Sequence, residues 1–401
     1  MWITSWTASP QPLWQGDFPL PTGLPFNFLG QTLRQSLRLS VGGGRLRIAL
    51  SNEYGRQPLH IGGASVGLTH DGHSIVPGTL RALHFGSDAQ AVIPPGAPLL
   101  SDPIELEVPP LATLAVSLYL PRATAPSTFH WDARRTTHVG EGDQSVRADF
   151  DTASTLSAWL FIRDVQVETS IATRTIVAIG DSTTDGNGAS IDQDRRWTDA
   201  LAEQLQAPAW AVLNAGISGG RLLRDRMGVN ALARYDRDVL AQPNLTAIVV
   251  LLGINDITWP GHPFAPDEAT PTLAALSAGL LQLIERGRMR GAHVIGATLT
   301  PFEGALPDTP FDRYYRPQGD ALRRALNDWI RTSGAFDAVV DFDAALLDPQ
   351  CPTRLYPPYD SGDHLHPGDA GNRRMAELVA ERLQSLEPQA PGAALSPASA
   401  A

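Results

Sequence analysis

Thr175-Ile176-Val177-Ala178-Ile179-Gly180-Asp181-Ser182-Thr183-Thr184-Asp185-Gly186 is a short apolar run that stops at a glycine and opens into a polar turn. Its apolar residues do not alternate with polar ones, so both faces of the strand they predict are covered. Helical periodicity follows, with Trp197, Ala200, Leu201 and Leu205 on one face. The pattern then repeats toward the C-terminus. Further apolar runs lie at 210–213, 246–252, 293–299 and 338–342. Helix candidates fall around 275–289, 317–332 and 369–384, the last grouping Met375, Leu378, Val379 and Leu383. Continuously apolar strands spaced by amphipathic helices predict an α/β region: a five-stranded parallel sheet, doubly wound and three layers deep. A closed eight-stranded barrel would need more elements than this region supplies.

Upstream, to about residue 170, the texture is different. Leu33, Leu37 and Leu39 share one strand parity, with Gln35 as a polar interruption; Arg34, Ser36 and Arg38 take the other. Leu46, Ile48 and Leu50 alternate with polar or small residues, and strand candidates also lie at 111–120 and 157–167. Gly and Pro clusters such as Gly42-Gly43-Gly44 and Pro94-Pro95-Gly96 separate them. Short strands with such turns predict a β-sandwich or jelly-roll-like domain over 1–170, ahead of an α/β domain over 171–386. Residues 387–401 are small and polar, the composition of a disordered tail.

Composition narrows the function. The chain has 401 residues, 43% of them hydrophobic and 18% charged, enough for two cores. The formal charge is -11 and there is no lysine, which argues against a nucleic-acid or anionic-membrane partner. Cys351 is the only cysteine, so no intrachain disulfide or cysteine-based zinc site can form. No run has the apolar length of a membrane span. Met1–Pro10 lacks the basic and apolar regions of a signal peptide, so a cytoplasmic location is expected for the chain as it stands, and secretion if a leader precedes it. Oligomeric state stays open.

In an open parallel sheet, ligands bind beyond the C-terminal strand ends. Those ends here carry Gly180–Gly186, Asn214–Gly220 and Gly253–Asp256, and Asp363-His364-Leu365-His366-Pro367 precedes the last helix. Taken singly, polar turns of Gly and Asp are ordinary loops. Their recurrence at successive strand ends is not.

With these blocks the sequence resembles the SGNH hydrolases, the GDSL-like esterases and lipases, over roughly residues 173–385. That family is recognised by four blocks supplying Ser, Gly, Asn and His in chain order; here they read GDST, LNAGISGG, GIND and DHLHP. The stretch Asn27–Gly55 also looks like the β-rich N-terminal domain of a two-domain branch. The resemblance implies a flavodoxin-like sheet, with Ser182 as nucleophile, His366 as base and Asp363 as its orienting acid. Ser182 N–H, Gly219 N–H and the Asn255 amide match the oxyanion donors. Asp181 and Asp256 are motif neighbours expected to organise turns. Thr183 departs from the usual Leu or Ile, which bears on local packing. No cofactor and no metal are expected.

The residue types suit the chemistry without the resemblance. A serine hydroxyl needs an adjacent base during attack, and imidazole can also return the proton to the leaving group. An aspartate fixes the imidazole tautomer, and preset N–H donors meet charge on the tetrahedral oxygen. His364 lacks a family match and reads as a loop residue; with His366 and Asp363 it makes no convincing metal set. His60, His70, His73, His84, His130 and His138 show no ligand spacing. Arg221, Arg224 and Arg226 read as a solvated face ahead of an anion site. Trp259, His262, Tyr314 and Tyr315 are candidates for a substrate pocket. The expected function is ester hydrolysis through an acyl-enzyme, with short acyl groups such as O-acetyl on an oligosaccharide or small molecule first. A short-chain aryl or alkyl esterase, or a broad lipase, comes next. Acyl transfer stays open, as does a glycan-binding module on an inactive hydrolase fold. A dinucleotide-binding oxidoreductase is disfavoured by the absence of GxGxxG after the first strand.

Overall fold

In the computed structural model, residues 1–14, 16–205 and 209–386 are described. The expected tail at 387–401 lies outside them. The first parallel strand, Arg174–Gly180, has Ile176 to Ile179 at no more than 1% exposure. It is apolar throughout because it is the second strand of the sheet and is covered on both faces. The order is Trp210–Gly216, Arg174–Gly180, Leu245–Leu251, His293–Ala297, Ala338–Val340, and every pairing is parallel. This is the 2-1-3-4-5 doubly wound order. Register then does the positioning. Gly180 pairs with Gly216 on one side and Leu251 on the other. The loops that follow these three strands therefore start abreast, at the point where the strand order reverses.

Two helical layers cover the sheet. Helix Trp197–Gln204 packs on helix Asp369–Leu386, with Trp197, Leu201, Met375, Val379 and Leu383 buried between helix and sheet. On the other side lie Ala231–Tyr235, Leu273–Arg288 and Pro317–Thr332. The last begins with proline at its first position, where the missing N–H costs nothing. Leu276, Leu280, Leu283 and Ile284 are buried on one stripe, and each contributes on the order of 1.5–3 kcal/mol.

The first part of the chain is mostly antiparallel. One sheet runs Trp2–Thr7, Ile162–Glu168, Gly43–Ser51, Ile104–Val108, and the other has Ser154–Leu156, Thr137–Glu141, Gln31–Arg38, Thr113–Leu120, Gly63–Leu68, Arg81–Ala82. Their inward residues, including Leu33, Leu37, Leu46, Ile48, Val116 and Val165, form a single core. Gln35, the polar interruption on the leucine face, and Arg34, on the opposite face, both have specific partners. Gln35 pairs its amide with both backbone groups of Leu160, at 2.9 and 2.6 Å. Arg34 is also fully buried, donating to Ser117 Oγ and to the carbonyls of His73, Arg147 and Ala148. The face opposite the leucines is therefore covered by loops.

A third, short sheet of Gln11–Pro12, Thr128–Trp131 and Ala158–Leu160 meets the α/β part. Strand Trp2–Thr7 packs along Trp210–Gly216. Phe18 is embedded in the α/β core and Ala211 in the β-rich one. No helix among the described residues is long and apolar enough to cross a membrane.

Candidate active site

Directly after the first parallel strand, the backbone makes a single helical turn, Ser182–Asp185. Asp181 caps it by accepting the Thr183 N–H at 3.0 Å, and Gly186 ends it at φ 111°, donating to the Ser182 carbonyl. Thr183 is buried within this turn. Ser182 thus sits at a helix start beyond the sheet, where backbone N–H groups lack intrahelical partners.

His366 Nε2 lies 2.8 Å from Ser182 Oγ, across 184 residues of chain. Its Nδ1 lies 2.6 Å from Asp363 Oδ2, while Asp363 Oδ1 accepts the backbone N–H groups of Leu365 and His366. Burial would raise the Asp363 pKa, but His366 and these hydrogen bonds outweigh it and hold the carboxyl well below its usual range. An ionised Asp363 only accepts, so Nδ1 carries the hydrogen and Nε2 presents its lone pair to the serine. His364 turns the other way, its Nδ1 bonded to Asp360.

Gly219 adopts φ 70°, and a Cβ there would lie 2.3 Å from Met227 Sδ and 2.7 Å from the Trp259 ring. Only glycine fits this close approach. Among the described residues, the N–H groups of Ser182 and Gly219 have no hydrogen-bond acceptor. Asn255, on the turn Ile254–Thr258, donates from Nδ2 to the Gly220 carbonyl at 3.0 Å and accepts the Tyr314 hydroxyl on Oδ1 at 2.7 Å. One amide hydrogen of Asn255 is left for a ligand.

Ser182, Gly219, Asn255, Asp363 and His366 all line one cleft of about 620 Å³. Trp259 and Tyr314 line it too. His262 stands behind the wall, packed on Phe264, Phe311 and Tyr314, and Tyr315 packs on Phe302; neither faces the cleft. The remaining wall is largely apolar: Met227, Phe264, Leu306, Phe311 and Leu365, joined by Leu20 and Trp131 from the β-rich part. Among the described residues Arg134 is its one lining arginine, and it donates to the Ala189 carbonyl.

Sequence reading missed the β-rich contribution. Gln11 accepts the Trp131 N–H at 2.7 Å and donates to the Met227 carbonyl at 2.9 Å, where the Trp14 indole also donates. Leu20 lies in the aromatic, Pro/Gly-rich stretch from Trp2 to Phe28, whose composition suits anchoring of the first domain or sugar stacking, and Trp131 lies in a strand with no local sign of a site. Of the three arginines read as a solvated face, Arg221 differs from expectation. Arg221 is buried, paired with Glu268 at 2.6 Å and set over the Trp259 ring, so it is a structural cation and not a solvated one. Arg224 shares Glu268, and Arg226 pairs with Asp17.

Asp181 and Asp256 are both buried beneath the site. Asp256 accepts the N–H groups of Leu222 and Leu223, at 2.7 and 3.0 Å, fixing the loop after Gly220. Burial pushes its pKa up to about 6. Among the described residues Asp181 Oδ2 has no hydrogen-bond partner, and burial pushes that carboxyl up to about 7.

Residues 178–374 match the model of the GDSL-like Lipase/Acylhydrolase family. Among solved structures, the native aryl esterase of M. smegmatis is 19% identical, covering 54% of this chain and 100% of its own, with a TM-score of 0.43. A carbohydrate acetylesterase from Sinorhizobium meliloti is 17% identical over 54% of this chain and 100% of its own, at a TM-score of 0.38. A putative lipolytic G-D-S-L protein from Desulfitobacterium hafniense DCB-2 is 19% identical over 52% and 99%, at 0.39. No curated protein matches the chain. The family match supports a hydrolase or esterase role for the chain.

Proposed function

We propose, from the premise that this chain carries a GDSL/SGNH-like hydrolase fold behind an N-terminal β-rich domain, that it hydrolyses carboxylic esters through an acyl-enzyme on Ser182. The observation that carries the reading is the continuous run of hydrogen bonds from Ser182 through His366 to Asp363, at 2.8 and 2.6 Å. Ser182 Oγ attacks the ester carbonyl as Nε2 takes its proton. Asp363 holds the ring and supports the imidazolium. Charge on the tetrahedral oxygen is met by the Ser182 and Gly219 N–H groups and the Asn255 amide. Collapse breaks the bond to the alcohol, which leaves with the proton from His366. Water then attacks the acyl-serine by the same steps in reverse, releasing the acid.

The substrate class we favour is a short acyl group, such as O-acetyl, on a carbohydrate. The cleft volume suits a small ligand of that size, and the half-buried Trp131 offers a ring on which a sugar face can rest. A second reading, a short-chain aryl or alkyl ester, is favoured by the apolar wall of Met227, Phe264, Leu306 and Phe311. The test compares acetylated oligosaccharides, short aryl esters and long-chain acyl glycerols on wild type and Ser182→Ala. Release from short esters that disappears in Ser182→Ala supports the proposal. Release confined to long chains overturns the substrate ranking, and equal release by Ser182→Ala overturns the mechanism.

A further inference from the structure

We propose that His130, supplied by the β-rich part of the chain, is a positioning residue for acyl transfer: through Asp185 it holds the nucleophile turn and the Ser218–Gly219 loop in mutual register. The proposal rests on the ester-hydrolase reading of Ser182.

His130 is buried, and each ring nitrogen faces an acceptor. Nδ1 lies 2.9 Å from the Ser9 carbonyl and Nε2 lies 2.8 Å from Asp185 Oδ1. A carbonyl and a carboxylate can only accept, so both nitrogens carry hydrogen and the ring is an imidazolium. Burial opposes that charge, but Asp185 and the Ser9 carbonyl outweigh it and hold the pKa above its ordinary value. Arg196 is a neighbouring cation that opposes this charge, and it donates to the Asp185 carbonyl at 2.7 Å; Arg234 donates to Ser9 Oγ at 3.1 Å.

The second oxygen of Asp185 makes the link to the site. Oδ2 accepts the Ser218 N–H at 2.8 Å and lies 2.6 Å from Ser218 Oγ. Asp185 ends the turn that starts at Ser182, and Ser218 directly precedes Gly219. One carboxylate therefore ties together the two backbone segments that present the Ser182 and Gly219 N–H groups. Neither His130 nor Asp185 lines the cleft, so they act through those segments and not on substrate. Removing His130 leaves a buried carboxylate with one oxygen unpartnered. Such a group recruits water or shifts toward other donors, and the turn moves with it. Preset donors lose much of their effect on small displacements.

The test is steady-state hydrolysis of p-nitrophenyl acetate by the full chain, with inhibition by a trifluoromethyl ketone that forms a tetrahedral serine adduct. Wild type, His130→Phe, His130→Gln, Ser218→Ala and Ser182→Ala are compared, with folding checked by circular dichroism. His130→Phe keeps a ring but no donor, and its kcat is expected to fall roughly 10–100-fold with KM little changed. Ketone affinity should weaken in step. His130→Gln retains a donor toward Asp185 and should recover most of the loss. Unchanged kcat in folded His130→Phe, a change in KM alone, or no recovery in His130→Gln overturns the proposal. If His130→Phe does not fold, Ser218→Ala decides: it should lower kcat with the fold intact, and wild-type kcat there overturns the proposal. Ser182→Ala keeps the two readings apart. Turnover that survives it overturns the hydrolase reading and the positioning role together; turnover lost in it but retained in His130→Phe overturns the positioning role alone.

Discussion

The Tyr314 hydroxyl donates to Asn255 Oδ1 at 2.7 Å, inside the wall of the cleft that holds Ser182. With Oδ1 engaged and Nδ2 bonded to the Gly220 carbonyl, the Asn255 amide has one orientation that satisfies both partners. Rotating it by half a turn would set Oδ1 against a carbonyl. Burial raises the Tyr314 pKa, so the hydroxyl stays a donor across the working pH range.

Tyr314→Phe should therefore keep the fold and the cleft while releasing the amide. The expected loss in kcat is roughly 10-fold, below the cost of deleting an oxyanion donor outright. KM for a small ester should stay near wild type. Steady-state kinetics on p-nitrophenyl acetate reads both, and an unchanged kcat would remove Tyr314 from the account.

Gly219→Ala carries two penalties, a positive φ and a Cβ in contact with Met227 and Trp259. The Met227 side chain can yield, but the Trp259 ring is rigid and buried. A stability loss of about 1–3 kcal/mol is expected from the backbone conformation alone. Urea unfolding measures that loss. Activity should fall more steeply than stability, because the residue that moves carries the N–H group proposed as an oxyanion donor.

Asp181 gives the pH dependence. Its folded pKa is raised to about 7, against about 3.9 for an unfolded aspartate. Between those values the folded chain binds the extra proton, so this group's contribution to stability is full below about pH 4 and is lost as pH rises to about 7. Asp256, raised to about 6, has the same sign. Asp181→Asn removes one of these terms while its Oδ1 can still cap Thr183. Its melting temperature relative to wild type should climb from pH 4 to 7 and level off above. A difference that is flat across that window would contradict the burial argument.

The parts of this arrangement that were legible share a physical cause. Ser182, Gly219 and Asn255 each follow a parallel strand within a few residues, so apolar runs and their polar ends locate them in sequence. His366 is marked by Asp363 and Pro367 on either side. Register between Gly180, Gly216 and Leu251 then gathers blocks that the chain keeps far apart. His130 and Asp185 left no such trace, because their contact spans 55 residues and two sheets and has no spacing rule. Trp131 was equally silent, since an aromatic in a short strand reads as packing. Arg221 was misread for a related reason: nothing local shows that Glu268 and the Trp259 ring will enclose it.

Trp131 tests whether the β-rich part contacts substrate. Trp131→Ala removes a half-buried ring from the cleft wall, leaving Ser182, His366 and Asp363 in place. For an aryl ester, KM should rise about 10-fold with a smaller change in kcat, the pattern of lost uniform binding. Loss of kcat without a KM change would instead assign Trp131 to positioning.

Acyl transfer through Ser182, as proposed, leaves the acyl group on that serine between the two half-reactions. Rapid-quench reaction with p-nitrophenyl acetate, followed by peptide mapping of the acid-quenched protein, tests it at the atom concerned. A burst of nitrophenol is expected, with acetyl on the peptide containing Ser182, and neither should appear in Ser182→Ala. Steady turnover with no acetyl on that peptide, or an acetyl group mapped to another residue, would contradict it.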